Sequence, residues 1–336
     1  MKDKRIKLMN NGFLRNKKGF IYLFAAILLV GVVLVIVSSN NLNNDDELQV
    51  VHSRINTMND FLKDLDVDVS RATYISGFRA FIAINEYISE TGTYLSDYQS
   101  VFQQVFYNGS INGEQYDIMS NSTFELYLEK VRSEASLKGI NINLSLLNVS
   151  LYQRDPWGVY ISLNISIFLN DSSKVANWNF TKNYDTRVSL NNIRDPVYSV
   201  NTQGRLLNII SKSPYKYNDF VDESTNDTSS LYNHTMNSYY RASTLAPSFI
   251  MRLRGNLTAS PYGIESFVNL DDLNAQGFIV NNAYSPIDYL YFSNSTTTNY
   301  CPQSGSPLPT WFKLDSEHYN SALDNYEIDG LNATTC

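Results

Sequence analysis

The longest apolar stretch of the chain lies near its N-terminus, and a helical repeat follows it. Phe20 to Val37 is a run of 18 residues without a charge. At about 1.5 Å per residue, a helix of this length spans about 27 Å, close to the hydrocarbon core of a bilayer. This pattern predicts a transmembrane helix over residues 20–39. The segment after it has apolar residues at alternating spacings of three and four, which predicts a long amphipathic stalk helix over residues 40–92.

The apolar positions of the stalk helix form one narrow seam. These positions are Leu48, Val51, Ile55, Met58, Leu62, Leu65, Val69 and Ala72. The seam either packs against a sheet of the same chain or pairs with identical helices in an oligomer. The pattern widens after Ala72 into Phe78, Phe81 and Ile82, and a stripe of this width is typical of a helix covered by a globular domain. We therefore favour packing against the chain's own sheet.

The period then changes from helical to strand-like. Ser122 and Glu125 form a capping-box pattern before a helix expected at residues 123–138, and Gly139 is a natural stop. Strands are expected at 141–152, at 157–169, where apolar and polar residues alternate, and at 175–190, after a turn at residues 170–173. Residues 93–192 are thus predicted to form an α+β head with an antiparallel meander packed on the stalk helix.

The C-terminal part, residues 193–336, is predicted to be a second β-rich region. Asp195-Pro196 marks a break before it, and turn-rich polar stretches separate its short apolar segments. The expected strands are Arg205–Ile210, Ser248–Leu253, Gly263–Val268 and Ile287–Phe292. The predicted fold class is therefore α+β, with a membrane helix, a long amphipathic helix on an antiparallel sheet, and a second β-rich region.

The charge distribution predicts the orientation in a membrane. Residues 1–19 carry seven cations and one anion, a charge of +6. Because the net charge of the chain is −7, the other 317 residues carry −13. The positive-inside rule makes residues 1–19 a cytoplasmic basic leader and places the bulk of the chain outside the cell. The alternative is a cleaved secretory signal, but the apolar run exceeds the usual length of such a segment. The acidic balance argues against nucleic acid as a partner.

The junction between the basic leader and the apolar run resembles a known family. Lys17-Lys18-Gly19 followed by Phe20 is similar to the leader junction, or class III signal peptide, of archaeal type IV pilin-like surface proteins. The resemblance implies that a prepilin-type peptidase cuts after Gly19 and that Phe20 begins the mature chain. One departure is Phe24, where bacterial pilins usually carry Glu. The alternative is an ordinary signal anchor whose basic flank ends in the same residues.

The resemblance also implies a function. The expected protein is a membrane-anchored surface glycoprotein that acts as a structural subunit of a filament or envelope assembly. It is expected to contact like or related pilin subunits through its membrane and stalk helices. A second hypothesis is a single-pass anchored adhesin or ligand-binding ectodomain. A third is a membrane-tethered hydrolase, which requires a catalytic site hidden in the C-terminal region.

Glycosylation sequons are the most abundant motif of the chain. Twelve Asn-X-Ser/Thr triplets occur, all on the side predicted to be extracellular. They begin at Asn108, Asn121, Asn143, Asn148, Asn164, Asn170, Asn179, Asn226, Asn233, Asn256, Asn294 and Asn332. Part of this number follows from a composition rich in Asn, Ser and Thr. Because Asn164 falls on the polar face of its predicted strand and Asn170 in a turn, a glycosylated ectodomain is expected.

Cysteine and histidine are too few for most thiol and metal chemistry. Cys301 and Cys336 both lie in the predicted ectodomain, which favours one intramolecular disulfide over free thiols or an intermolecular bridge. Such a bridge closes about 36 residues and stabilises by roughly 4 kcal/mol in the loop-entropy model. The three histidines are far apart, and no metal, hydrolase or nucleotide-binding motif is present. The sequence therefore predicts neither an enzyme nor a cofactor or metal site.

Overall fold

The computed structural model describes residues 17–174, 176–216, 219–222, 224–225, 227–302, 307–320, 326–328 and 333–336. Residues 1–16 of the basic leader, and the sequons at Asn226 and Asn332, lie outside the described residues. In the first helix, side chains are described at residues 22–38 and from Leu48 onward. The chain divides into two compact units, one of residues 1–62 with 173–176, and one of residues 63–172 with 177–336.

One long helix, α1, extends from Lys17 to Thr91. The run contains no proline, so every peptide group can join the helical hydrogen-bond ladder. The expected helix up to about residue 90 is confirmed. In the first unit, the described apolar side chains of α1 between Tyr22 and Val37 are exposed. Among the residues that the structure describes, no helix combines the length and hydropathy needed to span a membrane.

The part of α1 in the second unit has a buried stripe that widens along the helix. Leu65 and Val69 are 4% and 1% exposed, whereas Leu48 in the first unit is 57% exposed. Beyond Val69 the buried set spreads to neighbouring positions, which include Phe81 and Ile84. The predicted widening of the seam is confirmed, and it gives α1 a broad face for packing within the second unit.

Two further helices follow α1. Helix α2 extends from Tyr98 to Asn108 and was not predicted; Asp97 caps it by accepting a hydrogen bond from the Ser100 amide. A short hairpin of β1, Ser110–Ile111, and β2, Glu114–Gln115, leads through a 3₁₀ turn at Asp117–Met119 to α3, Phe124–Leu137.

The cap predicted for α3 is wrong by one residue. The Thr123 hydroxyl accepts the hydrogen bond from the Leu126 amide, whereas the Ser122 hydroxyl donates to the carbonyls of Ile118 and Met119 in the preceding turn. Thr123 has extended backbone angles, as an N-cap requires. Gly139 follows the helix with φ of 69°, so it acts as the expected stop.

Three long strands form an antiparallel meander in the order β3-β4-β5. They are β3, Ile140–Asp155, β4, Gly158–Asp171, and β5, Asn177–Ser189. All three predicted strands are thus confirmed. On β4 the residues from Val159 to Leu169 alternate between buried and partly exposed, because successive side chains point to opposite faces. A bulge at Leu147 interrupts the register of β3.

Helix α1 packs closely on the buried face of this sheet. A Cβ at Gly77 would overlap Ile161 Cδ1 and lie 3.4 Å from Val188 Cγ2, so the missing side chain allows the close approach. About three helical turns further toward the N-terminus, Asp66 accepts hydrogen bonds from Lys182 Nζ at 2.6 Å and Tyr184 Oη at 2.7 Å. Asp66 thus joins α1 to β5.

The C-terminal part consists of short helices and short strands. The helices are α4, Pro196–Asn201; α5, Ser229–Met236; α6, Phe249–Leu253; α7, Leu270–Ala275; α8, Asp288–Phe292; and α9, Ser316–Asn320. The strands are β6, Arg241–Ala242; β7, Ile264–Glu265; β8, Asn299–Cys301; β9, Leu314–Asp315; and β10, Thr334–Thr335. Strand β6 pairs with β7, and β8 lies between β10 and β9.

Two of the strands predicted here are wrong, because residues 249–253 and 288–292 form α6 and α8. An apolar run of five residues fits one buried helical turn as well as a strand, and its pattern alone does not separate the two. Residues 205–210 contribute only an isolated bridge at Ile209, whereas residues 263–268 do contain β7. Asp195-Pro196 starts α4, with Asp195 as N-cap and Pro196 in the first turn.

Aromatic rings fill the core of this part. Phe267 lies 4.8 Å from Tyr326 and 5.3 Å from Phe312 between ring centroids. The predicted disulfide joins Cys301 and Cys336, with the Cα atoms 5.4 Å apart. It holds β10 beside β8, where Thr334 pairs with Cys301.

Candidate functional site

The described part of the predicted membrane segment is an unbroken exposed apolar surface. Its large side chains are between 49% and 75% exposed. They are Tyr22, Leu23, Phe24, Ile27, Leu28, Leu29, Val30, Val32, Val33, Leu34, Val35, Ile36 and Val37. Contiguous apolar surface of this kind marks contact with a membrane or with another protein, because its exposure to water is unfavourable.

A buried arginine forms the centre of a first ionic network in the C-terminal part. Arg252, in α6, lies 2.6 Å from Asp195 and binds Asp288 through two guanidinium nitrogens at 3.0 and 3.1 Å. It also donates to the carbonyl oxygen of Ile264. Tyr240 Oη donates to Asp195 at 2.8 Å. The side chains of Arg252 and both carboxylates are inaccessible to solvent, so they depend on these contacts within the protein.

A buried histidine forms the centre of a second network. His318 Nδ1 lies 2.7 Å from Asp315 Oδ2, and its Nε2 lies 3.0 Å from Glu265 Oε2. Tyr326 Oη donates to the other oxygen of Glu265 at 2.8 Å. Ser285 Oγ donates to Asp315 at 3.1 Å. The histidine and both acids are buried.

Three consecutive residues, the two of β7 and Ser266 directly after it, connect the two networks. The Ile264 carbonyl binds Arg252, the Glu265 carboxylate binds His318, and the Ser266 hydroxyl donates to Asp288 at 2.9 Å. Because these three residues follow one another on an extended segment, the two networks form one polar core. This core joins α6, α8 and α9 through β7.

The surroundings change the pKa values of several of these groups. Burial alone lowers the pKa of His318, but the charges of Glu265 and Asp315 outweigh it and raise the pKa to about 10. Burial raises the pKa of Asp288 to about 6 despite the attraction of Arg252. Burial favours a raised pKa for Glu265, but His318 reverses the effect, and the pKa of Glu265 is lowered. His318 is therefore a buried cation at neutral pH.

This arrangement is suited to stabilising the fold rather than to catalysis. Both ring nitrogens of His318 are engaged by carboxylates, so neither is available to take a proton from a nucleophile. The ionic side chains of the network are also buried. No local pattern of the sequence indicates this network, because its members come from distant segments. Asp195 entered the prediction only as part of a chain break, and His318 only as one of three histidines that are far apart.

A cleft of the C-terminal part lies beside the disulfide. It has a volume of about 860 Å³, and its lining includes Phe278, Trp311, Lys313 and Asp271. Trp311 Nε1 donates to Asp271 at 3.0 Å, so the indole ring is held in place. Lys313 donates to the Asn282 carbonyl, and burial lowers its pKa. The cleft combines aromatic side chains with a lysine and an aspartate, a composition that suits a polar organic ligand.

The structure brings together some of the predicted site residues. Gly19 and Phe20 lie in α1, and their side chains are not described. Five sequon asparagines, Asn143, Asn148, Asn164, Asn170 and Asn179, lie in the three-stranded sheet. The other described sequons, at Asn108, Asn121, Asn233, Asn256 and Asn294, are dispersed over helices and turns. Within the described residues, no group of His, Cys, Asp and Glu is arranged to hold a metal ion.

The five sheet asparagines occupy the sheet face opposite α1, which we call the open face. In β4 it includes Ser162, Asn164, Ser166 and Phe168. Their direct partners in β3 are Ser150, Asn148, Ser145 and Asn143, and those in β5 are Asp185, Asn183, Thr181 and Asn179. Ten of these twelve positions carry an amide or a hydroxyl group, and toward Tyr160 the same face also carries Arg187 and Arg154.

The chain was compared with known proteins at the level of sequence and of structure. No protein-family model, curated protein or solved structure matches the chain.

Proposed function

We propose that the protein is a single-pass, membrane-anchored cell-surface protein with a pilin-like architecture, and that it acts as a structural subunit of a filament or envelope assembly. Its N-terminus is cytoplasmic and its bulk is extracellular. The observation that carries this proposal is the exposed apolar surface of α1 between Tyr22 and Val37. A surface of this size needs a lipid or protein environment.

Three further observations support the proposal. The basic residues before Phe20 favour a cytoplasmic N-terminus. Helix α1 continues without interruption into the second unit, where it packs on an antiparallel sheet through Gly77. The disulfide between Cys301 and Cys336 is typical of an oxidising compartment. Processing after Gly19 by a prepilin-type peptidase, with assembly through α1, is part of the same proposal.

The proposal is tested with the full chain in its native membrane. We expect the protein to resist extraction at alkaline pH, to dissolve in detergent, and to begin at Phe20 by N-terminal sequencing. The variant Val33→Lys places a charge at the centre of the apolar surface and should release much of the protein from the membrane. Ile279→Lys, at a side chain 98% exposed in the second unit, is the matched control and should leave extraction unchanged.

The results separate the parts of the proposal. A chain that begins at Met1 and resists extraction would contradict pilin-type processing and leave an ordinary anchored ectodomain. A chain that begins near Asn40 and is released without detergent would contradict the anchor itself. Chemical cross-linking of the membrane-bound protein tests assembly: ladders of the chain, alone or with related subunits, are expected.

An anchored ligand-binding ectodomain is the second candidate function. The cleft that includes Trp311 and Lys313 favours it, because it offers an aromatic surface and a cation beside each other. This function predicts saturable binding of an acidic saccharide by the detergent-solubilised protein, and loss of that binding in Lys313→Gln. Absence of binding together with cross-linked ladders would favour the structural role.

A further inference from the structure

Strand geometry places both functional groups of four sheet sequons, those at Asn143, Asn148, Asn164 and Asn179, on the same side. In an extended strand, residues i and i+2 lie on one face and residue i+1 on the other. The middle residues Leu144, Val149 and Ile165 are each 1% exposed, so they belong to the core. The asparagine amide and the Ser or Thr hydroxyl of these sequons therefore both lie on the open face.

The sequons of the open face differ in accessibility. Asn143, Asn148 and Asn179 are exposed and lie on the outer strands β3 and β5. Asn164 lies on the central strand, directly between Asn148 and Asn183, and its Oδ1 is buried without a hydrogen-bond partner. Directly opposite residues have Cβ atoms about 5 Å apart, which leaves no room for a sugar between two neighbours.

Two large apolar side chains beside these asparagines are exposed. Phe168 is 42% exposed, and its direct partners on the two sides are Asn143 and Asn179. Leu147, at the bulge next to Asn148, is 57% exposed. Saccharides attached to these asparagines would lie over both apolar side chains and separate them from other molecules.

We propose that Asn143, Asn148 and Asn179 carry N-linked saccharides, that Asn164 does not, and that the sugar-covered open face is excluded from contacts between subunits. The inference rests on the proposed surface location, because glycosyl transfer of this kind takes place outside the cytoplasm. In the reaction, the amide nitrogen Nδ2 forms a bond to the anomeric carbon of a lipid-phosphate-linked saccharide. The lipid phosphate leaves with the electron pair of its glycosidic bond, and the amide loses one proton.

Saccharides on the open face would restrict which surfaces can form contacts between subunits. If the open face is covered, subunit contacts must use other surfaces, and the exposed apolar surface of α1 is the one that the proposed function already requires. The open face would then point away from neighbouring subunits and toward the surroundings. A second copy of the chain docked on this face would exclude the saccharides, so the two arrangements are mutually exclusive.

Glycopeptide mass spectrometry of the full chain, purified from its native membrane, tests the modification. Peptides with Asn143, Asn148 and Asn179 should carry a saccharide mass, and the peptide with Asn164 should not. Asn143→Gln and Ser145→Ala should each remove the same saccharide, since both destroy one sequon. Asn141→Gln is the matched control, because Asn141 is exposed on the same strand but begins no sequon, and it should leave the mass pattern unchanged.

Protease treatment of intact cells gives the location separately. A protein cleaved from outside but unmodified at the three positions would overturn this inference and leave the proposed function intact. A protein protected from the protease in intact cells would overturn the proposed function. A saccharide on Asn164 would overturn the proposed difference between the outer strands and the central strand.

Maleimide labelling tests whether the open face is excluded from subunit contacts. Asn183→Cys should react with a maleimide to the same extent in the assembled and the solubilised protein. Protection of this cysteine on assembly would overturn the proposed exclusion.

Discussion

Glu265 Oε2 lies 3.0 Å from His318 Nε2, and both side chains are completely buried. The pair connects β7 to α9, two segments that are 53 residues apart in the sequence. A buried ion pair contributes little net stability over an apolar pair, but removal of one partner leaves an uncompensated charge in a medium of low polarity. This pair therefore makes the packing of the C-terminal part sensitive to single substitutions.

Substitution of one partner of this pair should strongly destabilise the protein. His318→Gln leaves Glu265 and Asp315 without a counter-ion, and we expect a loss of about 3 kcal/mol in the free energy of unfolding. Urea unfolding of the detergent-solubilised protein measures it. Arg71→Gln is the control: its ion pair with Asp68 has side chains 70% and 54% exposed, so little change is expected. Equal stability of the two variants would contradict the role assigned to His318.

The raised pKa of His318 predicts a pH dependence of stability. In the unfolded chain the pKa of histidine is about 6.5, and in the folded protein it is about 10. The stabilisation from protonated His318 is therefore complete below about pH 6.5 and is lost as the pH rises toward 10. Burial raises the pKa values of the neighbouring Tyr289 and Tyr326 above their ordinary range, so neither ionises in the folded protein within this window.

Urea unfolding at several pH values between 6 and 9.5 checks this dependence. The native sequence should lose stability steadily from about pH 7 upward, and His318→Gln should show a much flatter profile there. Below pH 7, His234 opposes this loss, because burial lowers its pKa to about 3 and it takes up a proton only in the unfolded chain. The raised pKa of Asp288, about 6, also makes stability fall as the pH rises. This fall is nearly complete by pH 7, so it affects only the acidic end of the range. A native profile as flat as that of His318→Gln would mean that His318 is not a buried cation.

The long periodic elements of the fold were predictable, and the polar core was not. Helix α1 and strands β3 to β5 extend over many residues, so their periods of 3.6 and 2 appear repeatedly in the sequence. The helices of the C-terminal part, such as α6, contain as few as five residues and show less than two helical turns. Arg252 and His318 acquire their partners only through tertiary contacts, and no local pattern indicates a contact 57 or 53 residues away.

The candidate site could be predicted only where neighbouring residues of the sequence define it. The apolar surface of α1 and the sequons are defined by adjacent residues, so the sequence contains them completely. Their arrangement on one face depends on strand register, which sets Asn148 opposite Asn164. A bulge at Leu147 shifts this register by one residue, and the sequence gives no signal for it.

A larger residue at Gly77 should disturb the contact between α1 and the sheet. In Gly77→Ala, the new Cβ overlaps Ile161 Cδ1, so the side chain or the helix must move, at a cost of about 1 to 3 kcal/mol. Gly31→Ala, also in α1, is the control, since nothing lies within 4 Å of its added Cβ. Adding Ile161→Val to Gly77→Ala removes the overlapping methyl group and should restore part of the stability measured by urea unfolding.

The disulfide should stabilise the C-terminal part mainly by restricting the unfolded chain. It joins residues 35 positions apart, and a loop of this length corresponds to roughly 4 kcal/mol in the loop-entropy model. Cys301→Ser combined with Cys336→Ser should lower the free energy of unfolding by about this amount, and reduction of the native protein should have the same effect. The double variant should be insensitive to reductant. If reductant lowered its stability as well, the effect on the native protein could not be assigned to this bridge.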